Sequence, residues 1–600
     1  MILQSLLFPD NNICSEEALY FHREEGFILV GGYFNLFYLE KYHKYCNIDK
    51  LTLELCVRGV KAIWVMHDLD LVQKVAVDFD KRRVSKEGDI FQRLSITLPY
   101  GEYDKGVFWF KAELMNTDDG WNINGGFEGI VGVTRDINIA VGICTFKREQ
   151  YVLRNLRTML DYFENKRDII AHYHVFLVDN GRTLSDNVEF KELKDKAHRI
   201  GGESLLILIE NRNNGGTGGF TRAMEEAIAR KEEFGITNLM LLDDDAVFDP
   251  EIFLRLVSFL KVLKTEFEDI TVGGAMWRED MPYMLYAFGE YHNKFSVYSP
   301  AHMLDLRKFD NCIRSELTEP DTTGGLYSGW WCCTYNMKII TKDNLPMPLF
   351  IHFDDILFCR QHSEYGIALI PGIGVWHQGF ELRFPGVNHY YNTRNQLITS
   401  AVMDDVTVSE VIAWAIKQLT APLLTLHYEE MKLAYKGIRD FLKGPEWLDR
   451  VDGEKLHCKL TEEYKNNVRM KHLGDVLDKE SYEWLKTSKL CDEARKKASM
   501  AFWKERRRGK CFKKVVTLNG WFLPPYKKMG YYCNADSPWS LYRKGKVLLY
   551  EPESERGYIE TRRFDQLIKC TGMVIKSAVL LRLKYCRVSN KYRIRAGIVD

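Results

Sequence analysis

The sequence predicts an α/β protein: a doubly wound, mostly parallel sheet in the middle, a β-sandwich before it and a helical, basic region after it. Three observations carry this reading. Between residues 137 and 242, short apolar runs alternate with stretches of helical spacing or glycine-rich turns. The first 125 or so residues hold aromatic and β-branched runs separated by turn residues, without long helical periodicity. Beyond about residue 400 the pattern becomes helical and irregular, and Lys and Arg crowd into two segments. The expected boundaries are 1–130, 131–400 and 401–600, since 600 residues exceed what one core can hold.

The N-terminal runs "GFILVGGYFNLFYLEKY" and "KLTLELCVRG" read as strands, and "RLSITLPYGEYDKGVFWFKAEL" as two strands around a Gly-containing turn. Carbohydrate binding and a structural role fit such a sandwich equally. "INIAVGICTF" is then a buried-strand run, and "REQYVLRNLRTMLDYFENK" has the spacing of a helix. "HYHVFLVDNG" and "SLLILIEN" are the second and third strands, followed by a glycine-rich turn and the helix "FTRAMEEAIARKEEF". "ITNLMLL" is the fourth strand and runs into three carboxylates. In such sheets ligands bind at the C-terminal strand ends, where Thr145, Asp179, Asn213 and Asp243 all fall.

The most hydrophobic later stretch, Val411 to Tyr428, is interrupted by Lys417 and Pro422 and reads as a buried or interfacial helix rather than a membrane span. The basic segments run from Arg495 to Lys514 and through "TRRFDQLIKCTGMVIKSAVLLRLKYCRVSNKYRIR", with Phe502, Trp503, Phe512, Val579, Leu580 and Leu581 interleaved. A solvated basic face and contact with an anionic membrane surface both fit. Nucleic acid does not, because Lys plus Arg equals Asp plus Glu at 83 each and no nucleic-acid-binding motif accompanies the patches. The 14 cysteines contain no CxxC pair and the N-terminus lacks a basic n-region, so a reducing, cytoplasmic setting is expected.

Chemistry concentrates in four places. "LMLLDDDAVFDP" sets Asp243, Asp244 and Asp245 where a strand ends; either this is a solvated turn capping the next helix, or Asp243 and Asp245 face one hard cation such as Mg²⁺ or Mn²⁺. "ENRNNGGTGGFTRAM" places glycines, Gly215 and Gly216 among them, before a helix whose N-terminus suits an anion such as a diphosphate. "PLFIHFDDILFCRQHSEYG" holds a second acidic pair, Asp354 and Asp355, which either start a helix or supply a general base. "GLYSGWWCCTY" offers Trp330 and Trp331 for stacking on a sugar, and "IALIPGIGVWHQGF" ends a strand at His377, a third metal ligand if it lies beside Asp243 and Asp245.

The order of "ICTFKR", "LVDNG", "NNGGTGGFTR", "LLDDDAVFDPE", "GWWCCTY", "PLFIHFDDILFCRQHSEYG" and "GVWHQ" resembles an inverting GT-A glycosyltransferase of family two. More narrowly it resembles the polymerising galactofuranosyltransferases of galactan synthesis, over about residues 137 to 395. The resemblance implies a Rossmann-like GT-A domain, a UDP-galactofuranose donor, Mn²⁺ (or Mg²⁺) and a growing, lipid-linked cell-surface glycan as acceptor. It implies metal roles for Asp243, Asp245 and His377, the base role for Asp355 with Asp354 beside it, and nucleotide-sugar contacts from Thr145, Arg148, Asp179, Asn213, Gly215, Gly216 and Asp244. Trp330, Trp331 and Glu290 would line the acceptor site. A homo-oligomer, peripheral on the inner face of the cell membrane, completes the expectation. One departure stands out: the family has a histidine just before "xRN", where this chain has Asn392, which points to a changed acceptor or donor preference. The rival expectations are a transferase of another nucleotide-activated sugar and a non-catalytic carbohydrate-binding or scaffold protein.

Overall fold

The computed structural model describes residues 1–77, 83–84, 90–115, 120–316, 324–505 and 508–598. Two antiparallel sheets form an N-terminal sandwich. One runs in the order Ile2–Ser5, Asn122–Ile130, Lys50–Arg58, Ile90–Leu98, Arg83–Val84; the other His22–Glu24, Phe27–Val30, Val107–Leu114, Val60–His67, Asp70–Ala76. Leu51, Leu53, Leu55 and Val57 all point inward along Lys50–Arg58, the period-2 signature of a strand with one face on a core. "GFILVGGYFNLFYLEKY" is not strand throughout. After Phe27–Val30, Gly31-Gly32 break the run, and Leu39–Tyr45 is a helix burying Leu39, Tyr42 and Tyr45 at helical spacing.

The central sheet is ordered Leu206–Glu210, Tyr173–Asp179, Ile139–Thr145, Asn238–Asp243, Cys332–Asn336, Thr271–Arg278, Met284–Ala287, Leu304–Asp305. Its first four strands are parallel. Cys332–Asn336 then enters antiparallel, and Ile367–His377 pairs parallel with Thr271–Arg278. This strand pairing makes the chemistry convergent. Val247 and Trp376 exchange two backbone hydrogen bonds of 2.8 and 2.7 Å, which lays the acid triplet beside His377, a residue far along the chain. The sandwich buttresses the same place from behind: the Phe34 ring sits 5.4 Å from Trp376 and 5.0 Å from Trp277.

The C-terminal region packs the helices Asn388–Met403, Val408–Leu424, Tyr428–Phe441 and Phe564–Arg595 around one apolar cluster. It is not wholly helical. Lys471–His472, Arg556–Thr561, Lys546–Glu551 and Gly530–Tyr532 form a small sheet, and Val547, Leu548, Leu549 and Tyr550 are all buried in it. Among the described residues no helix is long and apolar enough to cross a membrane. Val408–Leu424 buries Val411, Ala415, Leu419 and Leu423 on one face, with Pro422 in its last turn.

The basic segments divide by face. Phe502 and Leu581 are core residues, so they do not belong to an outward apolar face. The exposed stripe of Phe564–Arg595 is instead Phe564, Ile568, Ile575, Val579 and Leu583, flanked by exposed Lys569, Lys576, Arg582 and Lys584. Phe512 and Phe522 are exposed nearby in sequence order, at 84% and 62%. Arg506, Arg507 and the Trp503 side chain lie outside the described residues.

Candidate active site

Asp243 closes its strand, and Asp245 follows in the turn. One ligand atom from each of Asp243, Asp245 and His377 lies within 4.8 Å of the others. His377 Nε2 stands 3.2 Å from Asp245 Oδ1, an oxygen that accepts no well-oriented hydrogen bond. His377 Nδ1 is 2.8 Å from the Gln378 carbonyl, which only accepts, so Nδ1 carries the proton there and Nε2 faces the carboxylates. Two carboxylates and an imidazole are the donor set of a Mn²⁺-type cation, and they leave further coordination positions for phosphate and water. The residues therefore fit such an ion.

The charges show what the cluster does by itself. Burial alone would depress His377, but Asp245 and Asp243 outweigh it and raise the imidazole to about 9. Burial, then repulsion from Asp245, pushes the Asp243 carboxyl up. Burial also opposes Asp245, yet His377 and Arg148 hold it below the usual carboxylate range. Arg148 Nη1 reaches Asp245 Oδ2 at 2.5 Å and Asp244 Oδ1 at 3.3 Å. The middle acid, Asp244, turns inward: its Oδ2 accepts from Thr145 Oγ1 at 2.6 Å, and burial and Asp243 lift it to about 7. Thr145 is thus bound to Asp244 rather than offered to a ligand.

Sequence reasoning missed the clamp behind this turn. Asn155 Nδ2 donates to the carbonyls of Asp244 and Ala246, both at 2.8 Å, and Arg154 Nη2 to that of Ala246 at 3.2 Å. Both sit on the helix Glu149–Asn165, in its second turn.

The expected nucleotide residues divide. Asp179 is corrected. It is fully buried, and its carboxylate accepts from the backbone N–H groups of Gly181, Arg182, Thr183 and Leu184. All its lone-pair sites are used, so it shapes the loop rather than meeting a ligand. Asn213 does line the open cleft at this strand edge, with Asn180, Gly181 and Arg182. The glycines lie inside the first turn of the helix Gly215–Ala229. A Cβ at Gly215 would stand 2.0 Å from the Phe350 carbonyl, and one at Gly219 1.9 Å from Cys144 Sγ, so these two serve close packing. Gly215 N donates to Asn213 Oδ1 and Thr217 N to Phe350 O, which leaves Gly216, facing open space, as the glycine free of such packing.

The second acidic pair begins the helix Asp354–Gln361. The residues before it are unusual: Phe350, His352 and Phe353 have φ of 74°, 66° and 67°, a region that side chains disfavour and that functional sites tolerate. Asn395 Nδ2 lies 3.2, 2.8 and 3.0 Å from the carbonyls of Leu349, Ile351 and His352, and Arg394 Nη2 lies 2.6 Å from that of Leu349. The "RN" pair is therefore a staple on the strained turn. Asn395→Ala is expected to lower stability by about 1–3 kcal/mol, the cost of stranding buried carbonyls, and to slow any reaction that depends on the acid pair. Thermal unfolding and turnover measured together test this; an unchanged melting temperature would remove the staple.

Asp354 Oδ2 accepts from Thr217 Oγ1 at 2.6 Å, and burial raises its pKa. Asp355 Oδ1 accepts from its neighbour's amide, Ile356 N, at 2.8 Å; burial, then the charge of Asp354, drives its pKa well above the carboxylate range. Glu290 adds to that field and accepts from Tyr327 OH at 2.8 Å, which puts it on the Asp355 side of the site. Trp330 is corrected: its ring is buried against Phe220 and Phe358 and its Nε1 donates to Tyr335 OH at 2.9 Å, so it is core, not a sugar platform. Trp331 is half-buried over Gly329 and its carbonyl meets the Asp243 amide, beside the metal ligands.

The Glycosyl transferase family 2 profile matches residues 140–301, which hold the acid triplet. Galactofuranosyltransferase GlfT2 of Mycolicibacterium smegmatis is 26% identical over 438 residues, covering 70% of this chain and 65% of that protein. Its namesake in Mycobacterium tuberculosis is 26% identical over 439 residues, covering 70% and 66%. The match thus spans just under two thirds of the length of these relatives, 65% and 66%. A solved mannosyltransferase, PcManGT from Pyrobaculum calidifontis in complex with GDP-Man and Mn2+, is 12% identical, covers 55% of this chain and 80% of that one, and has a TM-score of 0.28, too distant to argue from.

Proposed function

We propose, since residues 140–301 match the glycosyltransferase family 2 profile and the chain is 26% identical to a galactofuranosyltransferase over 438 residues, that it is an inverting, metal-dependent transferase moving galactofuranose from UDP-galactofuranose to a growing glycan. The observation that carries this is the meeting of Asp243, Asp245 and His377 at the strand ends of a sheet whose neighbouring helix start presents Asp354 and Asp355. Asp243, Asp245 and His377 would hold the cation, which when bound offsets charge on the departing diphosphate. Arg148, paired with Asp244 and Asp245, would follow that negative charge in this reading.

Asp355 takes the acceptor hydroxyl's proton. Its raised pKa makes it a better proton acceptor than an ordinary carboxylate, and deprotonation still precedes reaction. Thr217 holds Asp354 still, so one carboxylate is fixed while the other works. Trp331 and Glu290 are the acceptor-side groups of this reading.

The decisive experiment offers a panel of UDP-, dTDP- and GDP-sugars with Mn²⁺ and follows nucleotide release with and without a galactan-type acceptor. Release from UDP-galactofuranose is the expected result. Release from another sugar moves the donor assignment. No release from any donor favours the non-catalytic, carbohydrate-binding alternative.

The exposed apolar stripe of Phe564–Arg595 with its basic flanks is the surface assigned to an anionic membrane, where a lipid-linked acceptor would lie; a homo-oligomer at the inner face of the cell membrane belongs to the same reading. The chain is expected to sediment with vesicles of anionic lipid and to release as salt shortens the Debye length. The Ile568→Glu, Leu583→Glu double variant is expected to stay in solution. Equal binding to neutral vesicles would overturn the electrostatic part.

A further inference from the structure

We propose that the helix Gly453–Asn467, which lies beyond the segment matched by the family profile, forms the outer wall of the donor site and contacts the nucleoside half of the nucleoside diphosphate. The proposal rests on the glycosyltransferase reading above and adds a recognition surface to it.

A cleft of about 920 Å³ opens at the C-terminal strand ends. Its inner wall is the sheet edge, with Phe146, Lys147, Arg182, Asn211 and Asn213. Lys147 and Arg182 have φ of 55° and 54°, so both strand ends turn through disfavoured backbone where they line the cleft. Phe146 and Lys147 directly precede Arg148, so this wall continues into the acid triplet. The outer wall is the helix: Glu454, Cys458, Thr461 and Lys465 recur at intervals of four, three and four residues, one face of an α-helix, and all four line the cleft.

The helix is held at this distance from the sheet. Arg212, on the loop after the third parallel strand, pairs with Asp452 and, at 3.2 Å, with Glu454 at the helix start. His457 stacks on Phe350 with ring centroids 4.9 Å apart and lies 3.2 Å from Tyr391 OH. Phe350 is the strained residue whose carbonyl caps Thr217. One residue thus ties the outer wall to the glycine turn and, through Thr217, to Asp354. The chemistry of the cleft matches a nucleoside next to a diphosphate: an exposed aromatic face at Phe146, amides at Asn211 and Asn213, a hydroxyl at Thr461, and cations at Lys147, Arg182 and Lys465.

The test uses the full chain and UDP with Mn²⁺. Calorimetry first measures UDP binding to the wild type. Iodoacetamide labelling is then followed peptide by peptide at Cys458, which is exposed on the cleft face, and at the exposed Cys491 and Cys586. Saturating UDP is expected to slow Cys458 labelling about tenfold and leave the other two unchanged. Thr461→Ala with Lys465→Ala is expected to weaken UDP by about tenfold or more, the loss of a charge-assisted hydrogen bond and a neutral one, with an unchanged circular dichroism spectrum. Wild-type binding of UDP with Cys458 labelled at the free rate, or with the double variant binding as wild type, overturns the role of the helix and leaves the transferase reading standing. No UDP binding by the wild type overturns both.

Discussion

Asp245→Asn, and equally Asp243→Ala, is expected to reduce sugar transfer by about 10³-fold or more, in line with the several kcal/mol that a bound cation contributes at a leaving diphosphate. For Asp243→Ala the loss is expected without unfolding. Asp243 has its pKa raised above the unfolded value by burial and by Asp245, so its ionised form destabilises the fold at neutral pH and its removal relieves repulsion. The melting temperature of Asp243→Ala should therefore hold or rise. EDTA should reproduce the kinetic loss in the wild type, and Mn²⁺ should restore it. Full turnover in EDTA would return the triplet to the status of a capped turn.

Asp355→Asn is expected to cut transfer by about 10²–10⁴-fold, the range of a general base, while calorimetric binding of the UDP-sugar stays nearly unchanged. The pH dependence carries a second, independent mark. Asp355 has its pKa raised well above the carboxylate range, so kcat/KM should fall with decreasing pH through a limb lying well above the usual carboxylate titration, and Asp355→Asn should abolish that limb. Asp354→Asn should do less to the chemical step, because Asp354 is engaged by Thr217. If Asp354→Asn is the variant that loses transfer, the roles are exchanged; if neither loses it, the pair is only a helix start.

The two corrected residues show where sequence reading stops. Asp179 sits at a strand end, as a ligand residue would, and Trp330 sits beside Trp331 in an aromatic run. What separates Asp179 from Asn213, or Trp330 from Trp331, is which neighbours satisfy them. Four local N–H groups consume the Asp179 carboxylate, and Tyr335, Phe220 and Phe358 enclose Trp330. Hydrogen-bond saturation and burial are pairwise properties of a folded chain, and no spacing rule encodes them.

By itself, the sequence determined the alternation of parallel strands and helices up to Asp243, the placing of a carboxylate cluster at a strand end, and the candidate identity of its partner, His377. These follow from periodicity and residue chemistry, which are local. Only the tertiary structure decided that His377 reaches Asp245, because that meeting depends on the Val247–Trp376 pairing and on the sandwich rings packed behind it. It alone showed the Asn395 staple over three left-handed residues, a contact between segments 43 to 46 residues apart in a conformation that side chains resist unless the surroundings impose it. The closing of the donor cleft by Gly453–Asn467 belongs to the same class: the sequence shows only a helical, irregular region beyond about residue 400, and which surface this helix covers is settled by Arg212 and Phe350, more than a hundred residues away.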